Sequence, residues 1–357
     1  MRIARHVRAL RPYVPGEQPK DPSAVKLNTN ENPYPPSPKV AAALAAFDCA
    51  ALRKYPDPEF AAIRARLAKI FRTSPERVFV GNGSDEVLTL AARAFVEDGE
   101  RIASLNPSYS LYRTLADVRG VEWEGVALGA DLRVPARFRV SPEASLFLWT
   151  NPNAPTSLAV PAPRIAAFAR KFPGVVIVDE AYADFASEDC TALAAAPGNR
   201  NLLVMRTLSK SFSLAGLRLG YAIGPADLIG ALYKVKDSYN VDLIAQTAAL
   251  AALNDLKWMR ASTAKVRRTR RRVTRELERR GWQVPPSETN FLFARPPEPF
   301  AAAELFRRLR ERNVFVRYFP YPETADRLRI TIGTDAEMDA FLRALDFSTR
   351  EGTGRRR

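Results

Sequence analysis

Histidine and cysteine are scarce in this chain of 357 residues. It contains one histidine, His6, and two cysteines, Cys49 and Cys190. A lone histidine near the chain start argues against a histidine-based triad and against histidine metal clusters. Two isolated cysteines are too few for a disulfide framework, and neither stands in the paired spacing of a zinc site. We therefore expect no metal, and any chemistry must use other side chains.

Long hydrophobic runs are missing as well. No stretch reaches the roughly 18 uninterrupted apolar residues that a membrane span needs. The chain begins with basic and polar residues and lacks the apolar run of a signal peptide. These absences predict a cytoplasmic protein that does not enter a membrane.

Negative charge is in short supply, because 54 lysines and arginines face 39 aspartates and glutamates, which gives a net charge of +15. Such a balance raises the question of a nucleic-acid partner. The densest basic run, residues 265–280, has apolar residues only at Val266, Val273 and Leu277. That spacing is typical of one buried stripe on an otherwise solvated helix. It favours an exposed arginine face and no nucleic-acid partner.

What the chain does contain is an alternation of short β-branched runs and helical patterns between about residues 75 and 225. Strand-like runs include "RVFV", "RIASL", "SLFLWT", "VVIVDE" and "NLLVMRT", and helical patterns separate them. The segment "SKSFSLAGL", residues 209–217, is predicted as the helix that follows the last run. This order predicts an α/β fold with a mostly parallel central sheet and helices on both faces.

The pattern changes after a long basic helix predicted over 256–280. The segments "NFLFA", "AAELFRRLRER", "VFVRYF", "RLRITIG" and "DAEMDAFLRAL" indicate strand, helix, strand, strand and helix, as in a compact α+β domain. We expect a large domain over residues 30–255 and a small domain built from residues 1–29 and 256–350. A disordered tail is expected over 351–357.

Ligands of α/β sheets bind beyond the carboxyl ends of the strands, so the residues after each strand are candidates. The motif "GNGSDE" follows the first strand. Gly81 and Gly83 allow close backbone approach, and Ser84 is the predicted N-cap of a helix whose free N–H groups favour an anion. Glu86 stands where a dinucleotide motif has its third glycine, which favours a single phosphate. A plain glycine turn before a capped helix is the alternative.

Two further strand ends place charge in buried surroundings. Asp179 ends "VVIV", where an ionised carboxylate needs a cation or hydrogen bonds, and the Tyr182 hydroxyl can reach the same place. Lys210 follows the next strand, so it and Asp179 are expected in one crevice. Apolar surroundings and a second cation, Arg218, lower the pKa of a lysine, as a nucleophilic amine requires.

Arg327 and Arg329 alternate in "RLRITIG" and are predicted on one face of a strand. Two arginines that face a cleft can hold a substrate carboxylate in two-point contact, and a cross-strand salt bridge is the alternative.

A phosphate cradle, a reactive lysine and a carboxylate able to stabilise a positive ring nitrogen together indicate pyridoxal 5′-phosphate. In this interpretation Lys210 bonds the cofactor covalently, Arg218 and Ser209 hold its phosphate, and Asp179 faces the pyridine nitrogen.

At these residues the sequence resembles the fold-type I aminotransferases and, within them, the histidinol-phosphate aminotransferase family. The similarity covers most of the chain and rests on "LNTNENPYPP", "KYPDP", "GNGSDE", "PSYSLY", "NPNAPT", "DEAY", "TLSKSFSLAGLRLGY", "VRYF" and "LRITIG". The resemblance implies a homodimeric pyridoxal-phosphate-dependent aminotransferase of histidine biosynthesis. Histidinol phosphate, 2-oxoglutarate and glutamate are its implied small-molecule substrates.

The resemblance also implies roles for individual residues. Lys210 becomes the covalent cofactor ligand and proton carrier, Asp179 the pyridine partner and Tyr182 the partner of the cofactor's phenolic oxygen. The other implied cofactor residues are Gly83, Ser84, Ser209 and Arg218 at the phosphate, Asp85 beside them, Tyr109 stacked on the ring, and Tyr55 reaching the site of the second subunit. The implied substrate residues are Arg329 for the carboxylate, Arg317 for the substrate phosphate, and Tyr13 and Asn30 towards the far end.

One position departs from the family pattern. The family commonly reads N-P-T-G where this chain has Ala154, Pro155, Thr156 and Ser157. Alanine cannot bond the phenolic oxygen of the cofactor. Asn153 is therefore a candidate replacement, with capping of the loop as its alternative role, or the tyrosine of "DEAY" acts alone.

Other activities stay open on the sequence alone. An aromatic amino acid aminotransferase and a threonine-phosphate decarboxylase share the expected fold. A basic nucleic-acid-binding regulator with a degenerate pyridoxal phosphate domain is the alternative of another class, although no helix-turn-helix extension is visible.

Overall fold

The computed structural model describes residues 2–3, 5–10, 16–196 and 198–354. The helices within these ranges are α1 Arg5–Ala9, α2 Pro38–Ala45, α3 Ala61–Phe71, α4 Ser84–Phe95, α5 Leu111–Arg119, α6 Ala162–Ala169, α7 Thr191–Ala195, α8 Ala226–Val235, α9 Leu243–Leu253, α10 Leu256–Arg279, α11 Ala302–Glu311 and α12 Asp335–Gly354. The strands are β1 Val25–Lys26, β2 Val78–Gly81, β3 Arg101–Asn106, β4 Glu122–Ala127, β5 Ala144–Thr150, β6 Val175–Asp179, β7 Leu202–Thr207, β8 Gly220–Ile223, β9 Phe291–Ala294, β10 Val314–Phe315, β11 Arg317–Tyr318 and β12 Leu328–Thr331.

Seven strands form the central sheet in the order β2-β8-β7-β6-β5-β3-β4. All neighbours pair in parallel except β8, which is antiparallel to both β2 and β7. The sheet is therefore mostly parallel, which confirms the predicted α/β class. Strand β4 was not predicted, because it lies at the sheet edge and most of its residues are at least partly exposed.

Both faces of the central sheet are covered. Phe147 and Trp149 on β5 pack in one hydrophobic cluster, whereas Leu146 and Leu148 on the same strand pack in another. Successive side chains of a strand point to opposite faces, so the split shows that each face has its own core. Helices on both faces explain why these strands appear in the sequence as continuous apolar runs.

A smaller unit follows α10. Strands β11, β12 and β9 form an antiparallel sheet, and β1 pairs in parallel with β10. The N-terminal segment is thus bonded to the C-terminal part of the chain, which is the grouping that the predicted domains assume. The division at residues 30 and 255 itself stays a prediction. Helix α12 runs to Gly354, so residues 351–354 are helical where a disordered tail was predicted over 351–357; the last three residues of that tail lie outside the described ones.

Two predicted elements are wrong. Residues 209–217 do not form an α-helix; they form turns with a short 3₁₀ segment, Ala215–Leu217. The reason is local, because Thr207 Oγ1 accepts a bond from Ser209 N, and Ser213 adopts a φ of 60°. The predicted single strand "VFVRYF" is also broken, since β10 and β11 belong to different sheets.

The basic helix α10 has the predicted buried stripe at Val266, Val273 and Leu277. Arg270, also buried, donates to the carbonyl oxygens of Phe185 and Thr289 at 3.2 and 2.6 Å and so links this helix to both parts of the molecule. Across the described residues, no helix combines the length and apolar character that crossing a membrane requires.

Candidate active site

One large cavity, about 570 Å³ in volume, lies at the carboxyl ends of β3, β5, β6 and β7 and is closed on the other side by the N-terminal segment and β11–β12. Most of the predicted site residues line it: Asn30, Ser84, Asp85, Tyr109, Asp179, Tyr182, Ser209, Lys210, Arg218, Arg317 and Arg329. Gly83, Asn153 and Tyr55 do not line it, and Tyr13 lies outside the described residues. The structure therefore brings the ends of these four strands and the second sheet to a single site.

The anion-binding end of the cavity is the start of α4. Gly83 has a φ of 82°, and a Cβ atom on it would lie 2.8 Å from Arg218 Nη2. Only glycine fits this approach without strain. Arg218 Nη1 lies 3.4 Å from the Ser209 hydroxyl oxygen, to which it donates. A helix N-terminus, a hydroxyl and a guanidinium thus converge, as phosphate binding requires.

Ser84 has a different place from the one predicted. It is the first residue of α4, whereas Gly83 is the N-cap, and no side-chain capping bond forms. The reason is the positive φ of Gly83, which puts the turn one residue earlier. Ser84 lines the cavity together with Asp85. The Asp85 carboxylate lies 3.4 Å from Arg218 Nη2 and accepts a weak bond of 3.4 Å from the Tyr109 hydroxyl.

Asp179 ends β6 and is buried. Its carboxylate accepts hydrogen bonds from the Tyr112 hydroxyl at 2.8 Å and from Ala181 N at 3.1 Å. Burial raises the pKa of Asp179 to about 6, and these two hydrogen bonds oppose the rise. Asp179 is therefore ionised mainly above pH 6, and a cationic group in the cavity would stabilise that form.

Lys210 extends from the loop after β7 into the same cavity. Its Nζ donates to the carbonyl oxygen of Thr29 at 3.1 Å. Burial lowers the pKa of Lys210 to about 8, the positive charge of Arg329 acts in the same direction, and the Glu31 carboxylate opposes the shift. A substantial fraction of this amine is neutral near physiological pH, which is what a nucleophile or base requires.

Tyr182 and Asn30 form a bonded pair in the wall of the cavity. Asn30 Nδ2 donates to the Tyr182 hydroxyl oxygen at 2.9 Å. Asn30 is itself fixed by Thr331, whose hydroxyl accepts from the backbone N–H of Asn30 at 3.0 Å, and by Asn290, which donates to its carbonyl oxygen at 2.9 Å. The left-handed φ of 56° at Asn30 suits asparagine better than most residues.

Two arginines of the small sheet line the opposite wall. Arg329 donates to the Asn28 carbonyl oxygen at 2.9 Å and lies over the rings of Phe291 and Phe319. Arg317 is its register partner on β11. The predicted pairing of Arg327 with Arg329 in the cleft is wrong. Arg327 precedes the strand, does not line the cavity, and forms an ion pair with Asp326 at 3.5 Å.

The loop that departs from the family pattern keeps Asn153 out of the cavity. Its Nδ2 donates to the Pro107 carbonyl oxygen and to Thr156 Oγ1, both at 3.0 Å, and its Oδ1 accepts from the Ser108 hydroxyl at 2.8 Å. Ala154 lines the cavity instead. The geometry thus gives Asn153 the loop-holding contacts that were its alternative role.

Tyr55 lies on the surface, with 79% of its area exposed. Its ring stacks on that of Tyr239 with 4.3 Å between the centroids. Tyr55 therefore does not contribute to the cavity of its own chain.

Several residues of the site were missed by the sequence interpretation. Tyr112 and Thr150 surround Asp179, and Tyr112 donates to or accepts from the Thr150 hydroxyl at 2.6 Å. Tyr112 is the second tyrosine of "PSYSLY", three residues after Tyr109, and no pattern in the sequence marks it as a partner of Asp179. The other missed residues that line the cavity include Thr29, Glu31, Arg113, Trp123, Phe319 and Tyr321.

The described residues contain no cluster of three or more histidine, cysteine, aspartate or glutamate side chains placed to hold a metal ion. The cavity is instead suited to an organic ligand with an anionic group, since a guanidinium, a helix start, an amine and a buried carboxylate face it.

Comparison with known proteins agrees with this geometry. The family model for aminotransferase class I and II matches residues 22–345. The chain is 46% identical over 344 residues to histidinol-phosphate aminotransferase 2 of Rhizobium meliloti (strain 1021), covering 95% of this chain and 97% of the relative. It is 43% identical over 333 residues to histidinol-phosphate aminotransferase of Rhodopirellula baltica, covering 93% and 91%.

A solved structure shares the whole architecture. The crystal structure of histidinol-phosphate aminotransferase from Sinorhizobium meliloti in complex with pyridoxal 5′-phosphate has a TM-score of 0.85 and 26% identity to this chain, and 98% of each chain is covered. The fold, the cavity and the sequence similarity lead to one conclusion: the chain belongs to the aminotransferase class I and II family.

Proposed function

We propose that this protein is a pyridoxal-phosphate-dependent aminotransferase that transfers the amino group between histidinol phosphate and the 2-oxoglutarate–glutamate pair, in histidine biosynthesis. The observation that carries the proposal is the meeting of Lys210 and Asp179 in one cavity with the anion-binding start of α4. The names and identities of the relatives support the substrate, because the matches extend over more than nine-tenths of the chain.

The residues present fit the cofactor. Gly83 leaves open the space where a Cβ would meet Arg218, so the phosphate can lie against the start of α4, Ser209 and Arg218. Asp179, buried at the other end, can accept a bond from a protonated ring nitrogen.

The remaining cofactor contacts fall on the walls between these two ends. Both Tyr109 and Tyr182 line the cavity, which supports the proposed roles of Tyr109 in stacking on the ring and of Tyr182 in bonding its phenolic oxygen. With alanine at position 154 and Asn153 bonded inside its loop, Tyr182 and its donor Asn30 take this task without a second amide.

When bound, the cofactor supplies an electron sink for the bond broken at the substrate Cα. The chain supplies the rest. Lys210 Nζ, with a pKa of about 8, acts as a base that takes the proton from the substrate Cα, and then as an acid that returns a proton to complete the amino transfer. A cationic ring nitrogen beside Asp179 would lower the pKa of this carboxyl below its value of about 6 in the cofactor-free protein, and would so keep Asp179 ionised.

The two arginines of the small sheet divide the substrates between them. Arg329 binds the carboxylate of glutamate in two-point contact, and Arg317 binds the phosphate of histidinol phosphate. Both arginines line the cavity from the small sheet, whereas Lys210 enters it from the loop after β7. A phosphorylated substrate without a carboxylate is thereby accommodated by the same wall that binds glutamate.

The protein acts as a homodimer in the cytoplasm. The support is the exposed Tyr55, which stacks on Tyr239 at the surface and is available to a second subunit's cavity. Exposed apolar side chains at Leu52 and Ile244 are also consistent with a subunit contact.

The experiment is a visible absorbance spectrum of the protein loaded with pyridoxal phosphate, followed by histidinol phosphate alone. We expect a band that is bleached by histidinol phosphate and restored by 2-oxoglutarate, and Lys210→Ala should lack it. Bleaching by phenylalanine or tyrosine but not by histidinol phosphate would replace the substrate with an aromatic amino acid. Carbon dioxide release from threonine phosphate without a keto acid would indicate a decarboxylase. A folded Lys210→Ala variant with full transaminase activity would overturn the proposal.

A further inference from the structure

A buried group of charges lies directly behind the candidate active site. Arg206 on β7 is almost fully buried, and its Nε donates to Glu180 Oε2 at 2.9 Å while its Nη1 donates to Asp184 Oδ1 at 3.1 Å. We call Arg206, Glu180 and Asp184 the Arg206 cluster. Burying three charges is costly unless each is paired, so a cluster of this kind is expected to have a geometric task or to be replaceable by apolar residues.

The Arg206 cluster contains or contacts the residue that follows each of the two active-site residues, Asp179 and Lys210. Glu180 follows Asp179, and its backbone N–H donates to the Met205 carbonyl oxygen at 2.8 Å, which ties the end of β6 to β7. Asp184 accepts a hydrogen bond from the hydroxyl of Ser211, the residue after Lys210. The cluster therefore bridges the two strand ends that carry the acid and the amine.

The loop that carries Lys210 is held by hydrogen bonds and not by regular secondary structure. It is not helical, and Ser213 within it adopts a left-handed φ of 60°. Asn32 Nδ2 donates to the carbonyl oxygens of Lys210 and Ser211 at 3.1 and 3.3 Å. Asn32 thus holds the backbone of the loop, whereas the bond from Ser211 to Asp184 holds a side chain of the loop, and Ser211 is buried.

We propose that Asp184 and Ser211 are positioning residues for Lys210: the Arg206 cluster fixes Asp184, Asp184 fixes the Ser211 hydroxyl, and this contact sets the position of the lysine amine relative to Asp179. The amine must move between its resting place and the substrate Cα, and small misplacements of such a group reduce turnover strongly. The inference rests on the proposed aminotransferase function. It assigns the cluster a part in turnover beyond the stability of the fold.

The chain offers a matched control in a fourth residue that contacts the Arg206 cluster. Asp189 also pairs with Arg206, at 3.0 Å from Nη2, but its side chain is 43% exposed and none of its contacts in the structure involves the lysine loop. Asp184→Asn and Asp189→Asn each remove one negative charge from the arginine. Only Asp184→Asn disturbs the contact with Ser211.

The test compares Ser211→Ala, Ser211→Thr, Asp184→Asn, Asp189→Asn and the Ser211→Ala/Asp184→Asn double variant, all loaded with pyridoxal phosphate. The single-turnover rate with L-glutamate is followed by the change in visible absorbance, over a range of glutamate concentrations. We expect Ser211→Ala and Asp184→Asn to lower the saturated rate by roughly 5- to 20-fold with little change in half-saturation. The double variant should be no slower than the slower single variant, because both substitutions act on the same contact.

The controls separate positioning from stability. Ser211→Thr keeps the hydroxyl and should recover most of the rate, and Asp189→Asn should stay within about twofold of the unsubstituted protein even if its thermal unfolding midpoint falls. Equal rate losses in Asp184→Asn and Asp189→Asn, or a Ser211→Ala rate above half that of the unsubstituted protein, would overturn the proposal. If Asp184→Asn does not fold, Ser211→Ala decides, since it leaves every ion pair of Arg206 in place.

Failure of the proposed substrate gives a different result. A protein that turns over glutamate but ignores histidinol phosphate loses the substrate assignment, while the comparison of variants proceeds unchanged. If no amino donor reacts, the dissociation constant of pyridoxal phosphate replaces the rate. Ser211→Ala must then weaken cofactor binding more than Asp189→Asn, and the reverse order contradicts the positioning role.

Discussion

The Tyr112 hydroxyl donates a 2.8 Å hydrogen bond to the Asp179 carboxylate and lies 2.6 Å from the Thr150 hydroxyl. Tyr112 and Asp179 are both buried, and they come from a helix and a strand that are 67 residues apart in sequence. The bond stabilises the ionised form of a carboxylate that burial would otherwise keep protonated. Tyr112 therefore helps to set the pH at which Asp179 becomes charged.

The stability of the cofactor-free protein should carry the signature of this carboxylate. Burial raises the pKa of Asp179 to about 6 in the folded chain, above its value in the unfolded chain. The unfolded state then loses its proton first, so the stabilising contribution is complete below about pH 4 and is lost as the pH rises to about 6. Urea unfolding of the unsubstituted protein and of Asp179→Asn across pH 4 to 8 measures this contribution. The difference between their free energies of unfolding should change by roughly 3 kcal/mol over that pH range.

Tyr112→Phe tests the contribution of the hydrogen bond to this titration. Without the phenol the pKa of Asp179 should rise further, and the loss of stability should extend to higher pH. Thr150→Val is the control, because it leaves the bond between Tyr112 and Asp179 in place. A Tyr112→Phe variant whose pH dependence equals that of the unsubstituted protein would show that burial alone sets the pKa.

Cofactor uptake should follow the ionisation of Lys210. The pKa of Lys210 is lowered to about 8, and only the neutral amine attacks the cofactor aldehyde. Stopped-flow absorbance between pH 6 and 9.5 should therefore show a rate that rises about tenfold per pH unit at low pH and levels off above about pH 8. With an exposed lysine, the rate of cofactor uptake would still be rising at the upper end of this pH range.

Two substitutions should move that profile in opposite directions. Arg329→Met removes a positive charge that lowers the pKa of Lys210, so its profile should move to higher pH. Glu31→Gln removes a negative charge that raises the same pKa, so its profile should move to lower pH. Shifts of the same sign in both variants would mean that the profile reports a different group.

The sequence predicted those parts of the molecule that local pattern controls. The apolar runs before Asp179 and Lys210 are buried strands that end at one edge of a sheet, so the meeting of these residues follows from the pattern alone. The partners of Asp179 could not be predicted in this way, because contacts between distant side chains leave no periodic signal. The loop after Lys210 was predicted as a helix because its composition fits one, yet hydroxyl-to-backbone bonds and a left-handed residue outweigh that preference.

Substrate selection should depend on Arg317 and not on its neighbour Arg327. Arg317 lines the cavity, whereas Arg327 pairs with Asp326 outside it. Arg317→Met should raise the KM for histidinol phosphate by about 100-fold, which corresponds to the loss of two charge-assisted hydrogen bonds. The KM for glutamate should stay within a few-fold of that of the unsubstituted protein. Arg327→Met should change neither. Steady-state kinetics with both donors decides, and a loss confined to glutamate would exchange the roles of Arg317 and Arg329.

The cradle at the start of α4 can be tested with two glycines that share a backbone conformation. Gly83 and Gly99 have φ values of 82° and 90°. A Cβ on Gly83 would lie 2.8 Å from Arg218 Nη2, whereas a Cβ on Gly99 would meet nothing within 4 Å. Each alanine variant should lose roughly 1–3 kcal/mol of stability from backbone strain. Only Gly83→Ala should also weaken pyridoxal phosphate binding, by at least about tenfold; equal affinities in the two variants would place the phosphate elsewhere.

Asn153 should matter for the loop and not for the cofactor. Its amide is bonded to the Pro107 carbonyl, the Thr156 hydroxyl and the Ser108 hydroxyl, all at 2.8 to 3.0 Å. Asn153→Ala removes these three hydrogen bonds, which should lower the free energy of unfolding by about 2–3 kcal/mol. The visible spectrum of the cofactor-loaded variant and its dependence on pH should stay unchanged, because the proposed partner of the phenolic oxygen is Tyr182. Ala154→Asn gives the contrast, since residue 154 lines the cavity and an amide there should shift the spectrum. A spectral shift in Asn153→Ala at unchanged stability would instead show that Asn153 turns to the cofactor once it is bound.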